Sequence, residues 1–138
     1  AGRVTVDDTH YTVSADGLTP VSDSESAKDP VFGYSTSHLP SWVEETSGGR
    51  ISADRCISLR LDGTEDDVLS KAPEDSVFVV NVESYEQLDG IHKAILRSEK
   101  SGKRYIFRTA ASFVRTALDQ GEATLYQPSL MSHKKGLL

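Results

Sequence analysis

The chain carries a single cysteine, Cys56, among 138 residues. An internal disulfide is therefore excluded, and Cys56 reads as a small packing residue of a strand. No apolar run approaches the roughly 18 residues of a membrane-spanning helix. The opening Ala1-Gly2-Arg3-Val4 runs at once into Asp7 and Asp8, with no apolar core of a leader peptide, so no membrane partner is expected. Glycine-rich phosphate loops, paired CxxC cysteines and an HExxH helix are all missing. The four histidines, His10, His38, His92 and His133, are scattered. The sequence thus predicts no metal, no cofactor and no catalytic residue of its own.

What is present is an ordinary globular composition, 37% hydrophobic and 26% charged. This length suits one domain that buries about two thirds of its unfolded surface. We expect a single domain over residues 1–127 and a tail over 128–138 that contains Pro128, Lys134 and Lys135. The charge is uneven. Residues 1–86 hold six basic and seventeen acidic side chains, a net −11, whereas residues 87–138 hold nine and four, a net +5. The overall −6 argues against nucleic acid, but a basic half is the footprint of a polyanion-binding surface.

Runs of β-branched and aromatic residues predict short strands at Arg3–Val6 and Tyr11–Val13, with a turn at Ala15-Asp16-Gly17. Residues 22–30 read as a polar loop, and Val31–Ser37 as a strand. A surface excursion follows, with one helical turn around Trp42-Val43. Alternation of Ile57, Leu59 and Leu61 with Ser58 and Arg60 predicts a strand over 55–61. Thr64, with Glu65, Asp66 and Asp67 behind it, starts a short helix that Pro73 stops. Ser76–Ser84 is apolar on both faces and reads as a buried strand. Asp89-Gly90 reads as a turn, 91–98 and 104–109 as the two strands of a hairpin, and 110–120 as a helix closed by Gly121. Strands in runs predict an α+β fold with antiparallel sheets, one strand-and-helix unit used twice.

In that hairpin Lys93, Arg97, Arg104 and Arg108 would share a sheet face with Ile95 and Ile106. Like charges gathered there are unfavourable unless an anion covers them. Arg60, Lys93, Arg97, Arg104 and Arg108 are the candidate phosphate contacts, with Lys103 and with Tyr105 as a base-stacking ring. A competing reading starts from Ser35-Thr36-Ser37 at a strand end. Mono-ADP-ribosyltransferase toxins place such a run beside NAD and need a later glutamate, for which Glu83 or Glu86 would serve; the usual residue two positions earlier is not matched in both. A third reading is a module that binds protein only.

Ala53-Asp54-Arg55-Cys56-Ile57-Ser58-Leu59-Arg60-Leu61 and the run Phe107 to Asp119 resemble the mitochondrial guide-RNA-binding proteins of trypanosomes, over about residues 50–120. That resemblance implies a Whirly-like fold of two antiparallel units, each followed by a helix, in a heterotetramer with a related, more basic partner subunit. It implies a mitochondrial matrix protein without enzymatic activity. Such a protein would bind single-stranded guide RNA through phosphates and promote its annealing to pre-mRNA.

Overall fold

A computed structural model describes residues 2–31 and 33–120. The tail at 128–138 and the helix-closing Gly121 lie outside these residues. The fold is α+β. Three strands, β1 (Arg3–Val6), β2 (Thr9–Ser14) and β3 (Gly17–Pro20), form an antiparallel meander. Two further strands, β4 (Cys56–Leu59) and β5 (Val77–Val80), form a parallel pair in register from Cys56↔Val77 to Leu59↔Val80. Four helices complete the described chain: α1 (Leu39–Thr46), α2 (Glu65–Lys71), α3 (Tyr85–Lys100) and α4 (Ala111–Ala117).

The second sheet differs from the antiparallel unit expected from the sequence. Parallel strands need a crossover, and α2 supplies it between β4 and β5. Leu59, Leu69, Ile91, Ala94 and Ile95 form the core between this pair and helices α2 and α3, with Val68, Phe78, Val80, Val82 and Tyr105 packed around it.

The largest correction is residues 91–98, which lie inside α3 and not in a strand. Leu88, Ile91, Ala94, Ile95 and Ser98 are its buried residues, spaced three and four apart, and this helical period overrides the apparent alternation. Ser84 and Gln87 cap the helix start: the Ser84 hydroxyl accepts from the Gln87 N–H, and Gln87 Oε1 accepts from the N–H of Glu83, one residue before the cap. Gly90 is no turn. A Cβ there would stand 2.5 Å from Cδ2 of Leu61, so the helix passes close over that side chain. Residues 104–109 have no regular structure.

Nor is Val31–Ser37 a strand. The chain folds back on the 3-10 turn Glu25–Lys28, with Gly33 N–H donating to the Asp29 carbonyl at 2.8 Å and Tyr34 N–H to that of Ala27 at 3.1 Å. A Cβ on Gly33 would lie 2.4 Å from the first of these oxygens and 2.6 Å from the second. Backbone cannot retreat as a side chain can. Gly33→Ala is expected to destabilise the fold by about 1–3 kcal/mol in urea denaturation, as overpacking does.

Candidate functional site

The carboxyl ends of β4 and β5 lie side by side, and the Asn81 N–H donates to the Leu59 carbonyl at 2.9 Å. Side chains alternate along strands. Leu59, Phe78 and Val80 therefore turn to the helices, while Ser58 and Asn81 turn to the other face. There the β1–β2 hairpin meets them. The Thr5 N–H bonds the Val82 carbonyl at 3.0 Å, and the hairpin's two-residue turn, Asp7-Asp8, arrives over the strand ends.

Both turn residues are left-handed, with φ of 47° for Asp7 and 59° for Asp8. A two-residue hairpin turn of this hand matches strand twist, yet it favours Asn-Gly or Asp-Gly. Two aspartates carry a backbone cost that the surroundings must offset. Asn81 does much of this. Its Oδ1 accepts the Asp8 N–H at 2.7 Å, and its Nδ2 donates to Asp8 Oδ1 at 2.6 Å and to Ser58 Oγ at 2.9 Å. The Ser58 hydroxyl donates to the same Asp8 oxygen at 2.8 Å. None of these bonds uses Asp8 Oδ2. Beside them the exposed Asp7 accepts from the Arg60 guanidinium at 2.7 Å. The result is a compact set of carboxylate, amide, hydroxyl and guanidinium groups at one rim.

Two titratable groups nearby are shifted, mainly by burial. Burial, followed by the charges of Asp8, Asp54 and Glu44, pushes the Cys56 thiol up, which keeps it protonated and unreactive. His10 lies on the hairpin with its Nδ1 2.9 Å from the Thr5 hydroxyl. Burial, then the Arg3 charge, hold its pKa below 6.5. A lowered folded value means the unfolded chain binds the proton more readily, so this contribution is complete above 6.5 and fades as pH falls through the window beneath it. Thermal melts should therefore show stability falling on acidification below pH 6.5, and His10→Gln should flatten that part of the profile.

The residues expected to form one basic sheet face are not together. Lys93 lies on α3 and pairs with Asp89 at 2.7 Å. Arg97, also on α3, grips Asp66 of α2 with Nε at 3.0 Å and Nη2 at 2.8 Å. Arg60 is on the rim described above. Lys103 donates to the Ala72 carbonyl at 2.8 Å and so closes the end of α2. Tyr105 is half-buried, its hydroxyl 2.6 Å from Ser98 Oγ and its ring edge-on to Phe78. Arg104 is exposed, and Arg108 lies over the Trp42 ring at 4.4 Å. The premise of a shared face failed because it needed strands at 91–98 and 104–109.

The Ser-Thr-Ser run is occupied in local structure. Ser35 bonds Glu45 at 3.0 Å, Thr36 Oγ1 accepts the His38 N–H, and Ser37 bonds Ser22 at 2.8 Å. Glu83 is exposed at the start of α3. A separate shallow depression of about 140 Å³ lies among Tyr85, Asp89, Arg115, Thr116, Asp119 and Gln120, well below the usual size of a ligand pocket.

Asp7, Asp8, Ser58 and Asn81 were not among the expected site residues. The clearest signal for them was Asn81, a polar residue interrupting the apolar run Val77-Phe78-Val79-Val80.

Polar groups gathered outside the carboxyl ends of parallel strands are the layout in which open α/β sheets carry their ligands. The profile of the sugar-binding N-terminal domain family matches residues 1–117, and the chain belongs to that family. No curated protein and no solved structure matches it.

Proposed function

We propose that this chain binds a sugar, and that the rim formed by Asp7, Asp8, Ser58, Arg60 and Asn81 contacts its hydroxyls. The family's description as sugar-binding supports the ligand class. The observation that carries the location is the Asp8 carboxylate, held by Asn81 and Ser58 through one oxygen. Sugar hydroxyls both donate and accept. A carboxylate takes their protons, and a guanidinium gives protons to their lone pairs. Side chains locked by one another lose little freedom on binding, which suits weak polar ligands. The strain of the turn fits the same reading, since such strain collects where a side chain must be aimed.

The RNA-annealing reading needed a continuous basic face. Three of its cations are instead paired with Asp7, Asp66 and Asp89. Sugar binding is the reading that the geometry supports better.

Calorimetric titration of the chain with a panel of neutral and charged monosaccharides and sugar alcohols tests this. At least one should bind with an affinity that Asp8→Asn weakens tenfold or more while the fold stays intact by circular dichroism. Binding of none, or binding unchanged in Asp8→Asn, would refute it.

A further inference from the structure

Helix α1 begins on the Asp8 turn. The Leu39 N–H donates to the Asp8 carbonyl at 2.7 Å, and His38 bridges Thr9. Towards its other end Glu44 Oε2 accepts the Ala53 N–H just before β4, and its charge is felt at Cys56, which shares a strand face with Ser58. So α1 lies on the side of the β4–β5 pair to which Ser58 and Asn81 turn. One turn into it, three residues after Leu39 and on the same side of the helix, stands Trp42. Arg108 reaches this ring. Tyr105 and Phe107 pack towards α3 and α4, on Ser98 and Phe113, while the Arg108 guanidinium lies over Trp42, 4.4 Å from the ring centroid.

The donors of this pair are unused. Among the described residues the exposed Arg108 guanidinium has neither a hydrogen bond nor an ion pair. The Trp42 indole N–H has no partner either, and since no described side-chain nitrogen is both buried and unpartnered, it is open to solvent. The rim has the opposite lack. Arg60 gives Nε to Ser58 and Nη1 to Asp7, Asn81 gives Nδ2 to Asp8 and Ser58, and the Ser58 hydroxyl gives its proton to Asp8. Asp8 Oδ2 is left to accept. A sugar hydroxyl that gives its proton there keeps lone pairs for a donor. We propose that Arg108 is a second contact residue of the sugar site, with Trp42 as its platform, and that it donates to the oxygens of a sugar held by Asp8. This rests on the sugar site proposed above. A guanidinium over an aromatic ring keeps its fork of N–H donors at its edge, and the stacking limits the freedom it loses on binding.

Trp42 is the single tryptophan of the chain, so its emission reports on this pair alone. The whole chain is titrated in turn with D-glucose, D-ribose, D-glucosamine, D-glucuronate and sorbitol, and fluorescence is read beside calorimetry. A sugar that binds should change the Trp42 emission along the calorimetric binding curve. Arg108→Met should weaken that sugar tenfold or more and leave the melting temperature almost unchanged, as substitution of an exposed side chain does. A sugar that needs Asp8 but binds Arg108→Met as well as the unaltered chain would overturn the proposal and leave the rim site standing. So would saturation without any change in Trp42 emission, or a loss of binding in Arg108→Met that tracks a lowered melting temperature. Binding of none of the five would overturn both.

Discussion

Replacing Asn81 with alanine is expected to weaken sugar binding tenfold or more and to lower stability by about 1–3 kcal/mol, the range for leaving buried polar partners unsatisfied. The side chain is buried and makes bonds to the Asp8 N–H, the Asp8 carboxylate and Ser58. Its loss leaves the left-handed Asp8 without the contacts that offset its backbone conformation. Asn81→Asp distinguishes these roles. The new carboxylate could still accept the Asp8 N–H, but its other oxygen would stand where Nδ2 now lies 2.6 Å from Asp8 Oδ1. Two carboxylates that close raise the pKa of one of them. A folded pKa raised above the unfolded value gives stability that is present at low pH and lost as pH rises through the folded value. Asn81→Asp should thus be worse than alanine at pH 7 and recover relative to it near pH 4, measured by urea denaturation at both values.

Ile91→Ala should have the largest effect on folding, a loss of about 2–5 kcal/mol by the cost of emptying a well-packed core site. Ile91 is fully buried where α3 meets β4 and α2, against Leu59 and Leu69. Domains of this size hold only about 5–15 kcal/mol in total, so the variant should melt roughly 10 °C lower and be partly unfolded under mild denaturant. The rim lies on the opposite face of the β4–β5 pair. A sugar that still binds at low temperature with near-normal affinity would separate this purely structural loss from that of Asn81→Ala.

The α+β class was legible because strand runs and helix starts leave local marks. Arg3–Val6, the Ala15-Asp16 turn, the β4 and β5 strands, and α2 with its acidic first turn and Pro73 beyond all matched their local chemistry. Residues 91–98 misled because Ile91-His92-Lys93-Ala94-Ile95 satisfies both the two-residue and the four-residue period. The neighbouring Asp89-Gly90 pair imitates a turn. The Ser84-x-x-Gln87 cap and the buried positions Leu88, Ile91 and Ile95 carried the correct signal. The site was less legible. Asp7-Asp8 resembles any solvent turn until the hairpin is folded onto β5, 73 residues away in the chain. Only then do Asp8, Ser58 and Asn81 become one network. The basic half of the sequence drew attention because composition is visible before topology, yet Lys93 and Arg97 turned out to face Asp89 and Asp66.

The most direct measurement is a nitrogen–proton correlation spectrum of the labelled chain, titrated with the sugar that binds best in calorimetry. The Asp8 amide, the Asn81 side-chain NH2 pair and the Arg60 Nε–H should shift together and saturate along one binding curve. Shifts confined to Tyr85, Arg115 and Gln120, or none at the rim at saturation, would contradict a sugar site at the ends of β4 and β5.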